Sequence, residues 1–241
     1  MSVEIFGINI NAINFEDALN KADLLIKQDK IAQVITINPE MFAEAERNKE
    51  FADILKTSEI VIPDGVGVKI ALKLNGINTE RIPGIDFARK ILEKSAEENL
   101  SVAIIGAKEE VVTKAVENLL SEIPNLKIIY FRNGYFNNDN DIYSELREKN
   151  PQIILAAMGS PRQEFFIHNA KKSLQRGLMI GIGGSLDVWS GSIKRAPKVF
   201  QATGTEWLYR TVTQPERFKR IFPALPLFLV KALIYRFKRS K

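Results

Sequence analysis

The chain of 241 residues contains no cysteine and only one histidine, His168. Without cysteine there is no disulfide framework, no thiol nucleophile and no thiolate metal site, which suits a reducing compartment such as the cytoplasm. A single histidine excludes a histidine-rich zinc cluster, and Ser-His-Asp chemistry would have to run through that one side chain. Because Phe165, Phe166 and Ile167 precede it at helical spacing, His168 reads as a packed structural group, and acid–base work falls to carboxylates. Also missing is an apolar run of the roughly 20 residues that a membrane span needs. Ile221 to Val230 holds ten apolar residues but contains Pro223 and Pro226 and stops at Lys231. Met1 to Asn11 alternates polar and apolar like an edge strand and lacks the charged-then-apolar order of an export signal.

What is present is a chain 45% apolar, enough to bury a core, with a net charge of +5 that conceals an asymmetry. Residues 194–241 carry twelve Lys/Arg against Glu206 and Glu216, a net of +10. The residues before them carry 22 basic and 27 acidic groups, a net of −5. A mildly acidic body, 1–193, therefore bears a basic appendage, 194–241, and the anionic partner belongs to the appendage. Within it Leu225 to Phe237 sets Lys231 and Arg236 among aliphatic residues and is followed by Lys238 and Arg239, the pattern of a helix lying in an anionic membrane surface. That aliphatic content argues for lipid over nucleic acid.

The body reads as strands, glycine-bearing turns and helices in alternation. Val3 to Ile10 is a strand, Phe15 to Lys27 an amphipathic helix capped by Asn14, and Val34 to Asn38 a buried strand. After Val102 to Ile105, Lys127 to Phe131, Ile153 to Ala157 and Leu178 to Ile180 the same punctuation recurs. The repeat predicts an α/β fold, a Rossmann-like doubly wound, mostly parallel sheet with a helical C-terminal appendage.

In such sheets ligands bind outside the carboxyl ends of strands. Ile60-Val61-Ile62-Pro63 is an apolar strand that proline ends, so Asp64 stands at the crevice and is the candidate catalytic group. Capping of the helix that follows, Val66 to Leu74, is an equally open use for its carboxylate. Thr36 and Asn38 close another strand and point to one side, suited to sugar hydroxyls or to a cap. Arg81, fixed by Pro83, is placed to meet a phosphate. Gln163, in Gly159-Ser160-Pro161-Arg162-Gln163-Glu164, offers a neutral amide to hydroxyls, with Ser160 and Glu164 as a box-like capping pair. The turn at Gly181-x-Gly183-Gly184 lets backbone N–H groups approach a diphosphate but lacks the dinucleotide fingerprint, and Asp187 beyond it could hold a ribose or cap a helix. Asp139-Asn140-Asp141 resembles a metal-holding Asp-x-Asp, but its run of asparagines before a helix marks it as capping.

Taken together, Thr36-x-Asn38-Pro39, Pro63-Asp64-Gly65, Arg81-x-Pro83-Gly84, Gly159 to Glu164, Gly183-Gly184-x-x-Asp187, Arg195-Ala196-Pro197-Lys198 and Glu206-Trp207-Leu208-Tyr209-Arg210 resemble the WecG/TagA/CpsF glycosyltransferases across nearly the whole chain. Within that family the closest likeness is to the branch that makes the linkage unit of wall teichoic acid. The resemblance implies an inverting, metal-independent transfer with no cofactor. N-acetylmannosamine would pass from a UDP-sugar donor to the 4-hydroxyl of GlcNAc on undecaprenyl diphosphate. It implies Asp64 as general base and Thr36, Asn38, Arg81 and Gln163 lining the pocket. It also implies Arg210, Arg217 and Arg220 folding over the site to meet the diphosphate. The protein would then sit peripherally on the inner face of the cell membrane, with a homo-oligomer as its form in solution. The residues themselves leave two rivals, a nucleotide-dependent oxidoreductase using the Gly181 turn for NAD and a non-catalytic membrane-bound nucleotide module. Within the family, N-acetylmannosaminuronate or glucose are the rival donor sugars.

Overall fold

The computed structural model describes residues 2–28, 30–213 and 218–239. The chain opens on an antiparallel hairpin, β1 (Ser2–Ile5) and β2 (Ile8–Asn11). The alternation predicts one strand here, and there are two. Phe6 (φ 52°) and Gly7 (φ 77°) both take the left-handed conformation that closes a two-residue hairpin turn.

Six parallel strands form the central sheet: β3 (Ile31–Ile37), β4 (Ile60–Pro63), β5 (Ser101–Gly106), β6 (Lys127–Arg132), β7 (Ile153–Ala157) and β8 (Gly177–Gly181). Their order is β4-β3-β8-β7-β5-β6, with every pairing parallel. Strands buried on both faces read as apolar runs: β4, β7 and β8 are apolar throughout, β3 admits only Gln33 and Thr36, and the edge strand β6 begins and ends on Lys127 and Arg132. On one face Val34, Ile60, Ile62, Ile104, Leu155 and Ile180 pack against α1 (Phe15–Ile26), α5 (Gly84–Glu97), α6 (Glu109–Glu122) and α9 (Ser185–Trp189). On the other, Ile35, Ile37 and Val61 meet α2 (Pro39–Arg47), α3 (Lys49–Thr57) and α4 (Val66–Leu74). Ala103, Ile105, Ile154 and Met179 meet α7 (Asp139–Lys149) and α8 (Arg162–Ala170). This is the doubly wound α/β architecture that the alternation predicts. Where β4 would present an open edge, the Val61 N–H donates to Asn11 Oδ1 at 2.8 Å, so the hairpin covers it.

Caps set several element starts. Asn14 Oδ1 accepts from Asp17 N at 2.7 Å and starts α1. Asn138 caps α7, which places Asp139 and Asp141 in its first turn. His168 lies on α8, half-buried, with its imidazole held below the usual histidine range by burial and by Lys171 and Lys172.

The C-terminal region adds α10 (Lys198–Ala202), α11 (Glu206–Thr213) and α12 (Phe218–Arg239). The prolines at 223 and 226 do not interrupt α12. What sustains the helix is a buried stripe at i, i+4 spacing, Ala224, Phe228 and Ala232, laid against α2 and α4. Phe228 closes an aromatic cluster with Phe42 (centroids 4.9 Å apart) and Phe6 (5.7 Å). Burying a phenylalanine contributes about 2 kcal/mol, whereas a surface ion pair such as Lys231 with Glu46 contributes less than about 1 kcal/mol. The apolar stripe therefore seats the helix. Among the described residues no helix is long and apolar enough to cross a membrane.

Candidate active site

A cavity of about 620 Å³ opens over the carboxyl ends of β4, β3, β8 and β7. Parallel register aligns its floor: Ile37 lies opposite Pro63, so the residues after each strand stand abreast. Asp64 N donates to Ile37 O at 2.9 Å, which extends the ladder by one bond beyond the proline.

Asp64 does not cap α4, whose N-cap is Gly65 with no side-chain bond. Its Oδ2 accepts instead from the Gly84 N–H, the first residue of α5, at 3.2 Å. A helix N-terminus thus points at the carboxylate and favours its charged form. Burial outweighs that help and pushes the Asp64 carboxyl above the usual aspartate range. Hydrogen bonds from Gly84 and Gly65 and the charge of Arg81 pull the other way, while Glu206 adds to the rise. Gly84 must be bare for this contact, because a Cβ there would lie 3.0 Å from the Thr36 methyl and hydroxyl.

Thr36 and Asn38 both line the cavity. Asn38 also takes the capping role: its Oδ1 accepts from Met41 N at 3.1 Å and starts α2, with Pro39 at the first helical position. Arg81 reaches the cavity wall, where Nη2 lies 3.5 Å from Glu206 Oε2 and donates to Gln201 O at 3.5 Å. Glu206 is in turn 3.6 Å from Arg195 Nε, and Arg195 makes a two-pronged pair with Asp86 at 2.6 and 2.7 Å. This chain of charges fastens the start of the basic appendage to the mouth of the cavity.

On the far side the turn after β8 presents Gly183 and Gly184, with the Gly183 N–H donating to Gln163 Oε1 at 3.0 Å. Gly183 has φ 48°, which a residue without a side chain adopts at no cost. Asp187, on α9, is not among the residues lining the cavity, and its backbone carbonyl accepts from Ile193 N and Ser190 Oγ. Arg217 and the side chains of Arg210 and Arg220 lie outside the described residues. Among the described residues no group of three or more His, Asp or Glu is arranged to hold a metal ion.

Several lining residues escape the sequence reading. Glu40, Glu44 and Arg47 come from α2, whose signal was the asparagine-proline start followed by the apolar pair Met41 and Phe42. Glu206 and Trp207 come from α11, and the Trp207 indole N–H is buried without a partner. One of only two acids in a region of twelve basic residues, Glu206 stands out by its charge.

An all-parallel doubly wound sheet whose cavity spans the carboxyl ends of four adjacent strands, with a carboxylate on one side and glycine turns on the other, is the ligand-binding α/β class. The chain belongs to the Glycosyl transferase WecG/TagA/CpsF family, whose model matches residues 3–241, and is a glycosyltransferase of that family. It is 34% identical over 228 residues, 94% of this chain and 88% of the relative, to the N-acetylglucosaminyldiphosphoundecaprenol N-acetyl-beta-D-mannosaminyltransferase of Bacillus subtilis (strain 168). It is 32% identical over 209 residues, 86% of this chain and 81% of the relative, to the protein of the same name from Bacillus spizizenii (strain ATCC 23059 / NRRL B-14472 / W23).

Proposed function

We propose that this chain moves N-acetylmannosamine from UDP-N-acetylmannosamine to the 4-hydroxyl of GlcNAc on undecaprenyl diphosphate, building the linkage unit of wall teichoic acid. The observation that carries the reading is Asp64 at the base of the cavity, a carboxylate whose neighbours are small or polar and whose basicity burial enhances. In the reaction the Asp64 carboxylate takes the proton of the acceptor hydroxyl as its oxygen bonds to the anomeric carbon. The bond from that carbon to the UDP oxygen breaks on the opposite face, with inversion. Thr36, Asn38 and Gln163 hold the reacting sugars in line, which supplies rate that a weak base cannot. Charge developing on UDP falls to Arg81, the amides at Gly183 and Gly184, and the appendage arginines 210, 217 and 220, a donor set that needs no metal. Asp187, outside the cavity, remains in this reading a group that braces the turn beside the nucleotide.

The appendage, 194–241, serves as both closure and anchor in this reading. It exposes Val199, Val212, Leu227, Val230, Ile234 and Phe237 among its positive charges, a combination that favours the anionic inner face of a cell membrane. The lipid-linked acceptor would reach the cavity from there.

The test is UDP release with lipid-linked GlcNAc diphosphate in liposomes, run over UDP-N-acetylmannosamine, UDP-N-acetylmannosaminuronate and UDP-glucose. The reading requires acceptor-dependent release that favours the first donor by about tenfold or more and is faster on anionic than on neutral liposomes. Preference for another donor would replace the substrate, and release indifferent to acceptor would end the transferase reading.

A further inference from the structure

Beneath the cavity runs a buried polar chain in which the proposed reaction uses Gln163 and Gly183 but gives Glu164 and Gln33 no part. Glu164, 2% exposed, accepts at Oε1 from Gln163 Nε2 at 2.8 Å. Gln163, 5% exposed, spends its own Oε1 on the Gly183 N–H at 3.0 Å. Since that N–H needs an oxygen, the amide orientation of Gln163 is fixed, with nitrogen toward Glu164. From the other side Gln33, fully buried on β3, donates from Nε2 to the Glu164 backbone carbonyl at 3.3 Å. Two oxygens in this chain, Glu164 Oε2 and Gln33 Oε1, are buried with no hydrogen-bond partner. The packing around Gln163 is equally restrictive: a Cβ on Gly181 would lie 2.4 Å from Gln163 Nε2.

We propose that Glu164 is a positioning residue, a buried neutral carboxylic acid that aims the Gln163 amide, and through it the Gly181–Gly184 turn, at the sugar nucleotide. A carboxylate with one oxygen buried and unpaired is costly, whereas the protonated acid becomes a donor where two acceptors face no partner. Desolvation raises the Glu164 carboxyl above the usual glutamate range, tempered only by the Gln163 amide, the Ser160 hydroxyl and its own N–H. No cation offsets that rise. β3, β7 and β8 carry no charged residue, and Lys49, Glu50, Asp53 and Lys56 on α3 do not act on this carboxyl. Lys171 is engaged with Glu59 at 2.7 Å. The Ser160 hydroxyl still reaches this carboxyl, but α8 has no side-chain cap bond and the Glu164 carboxylate turns inward to its neighbour Gln163.

The inference rests on the transferase reading for its kinetic arm and stands apart from it in its stability arm. Glu164→Gln preserves an oxygen for Gln163 and puts an N–H donor in place of the unpaired Oε2. It is expected to keep kcat and the KM for UDP-N-acetylmannosamine within about twofold of wild type, while Glu164→Leu raises that KM about tenfold with a smaller change in kcat. Because the native carboxyl titrates above its unfolded value, its contribution to stability is present at low pH and is lost as pH rises through the raised value. Glu164→Gln cannot ionise, so its melting temperature should gain on wild type as pH rises from the usual glutamate range through the raised value. A Gln variant as impaired as the Leu variant, a Leu variant with wild-type KM, or a melting gap constant with pH would each overturn the assignment. If wild type turns over no sugar nucleotide, the transferase reading fails, and the melting series still decides the state of Glu164.

Discussion

A carboxylate withdrawn from water holds its proton more tightly, and the same withdrawal makes it a better base once ionised. Asp64 carries both consequences. Its folded value lies above the unfolded one, so its stabilising contribution is complete only while it is protonated and is lost as pH rises through the raised value. Above the usual aspartate range the raised value therefore costs stability. Asp64→Asn keeps an oxygen for the Gly84 N–H and removes that cost, so it should melt no lower than wild type at neutral pH. The difference should close as pH falls through the aspartate range, read by scanning calorimetry over a pH series. A variant that melts several degrees lower at neutral pH would show the carboxylate to be structural. The place of Asp64 was legible, because Pro63 ends the strand. Its partner was not: Gly84 lies twenty residues on, and only the fold brings the start of α5 to the carboxylate. Arg81 was legible as a charged group near the site, but its engagement with Glu206 depends on α11 folding back from the far end of the chain.

At the scale of elements, the wall formed by α12 depends on a glycine. A Cβ on Gly67 of α4 would lie 2.5 Å from Leu225 Cδ1 and 2.8 Å from Pro39 Cγ, so α12 approaches α4 as closely as it does only because that position is bare. Gly67→Ala should destabilise the protein by about 1–3 kcal/mol through overpacking and weaken turnover of the lipid-linked acceptor more than UDP binding. Adding Leu225→Ala should recover part of the loss, since the two positions are in contact. Denaturation midpoints and a UDP titration of the two single variants and the pair check this, and strict additivity would contradict it. The alternating strands and helices of the body were readable because each repeats one pattern of apolar run, glycine and amphipathic stretch. The hairpin was not, since Phe6 at positive φ hides the turn behind an aromatic residue that usually extends a strand. Nor was the continuity of α12 through Pro223 and Pro226, which comes from the tertiary seat of Phe228 and Ala232 rather than from local preference.

Across the whole molecule, an acidic body and a basic appendage meet at one cavity. The core supplies the carboxylate and the glycine turns, and the appendage supplies Glu206, Trp207 and Leu225 to the walls. Neither half encloses the cavity alone, which is why the sequence, read in segments, placed the floor residues and missed the walls. The account turns on whether Asp64 takes the acceptor proton, and the most direct measurement is turnover by Asp64→Asn beside its affinity for UDP. The account predicts UDP affinity close to wild type with kcat on the lipid-linked acceptor reduced by about a hundredfold or more. Turnover at the wild-type rate in that variant would contradict it.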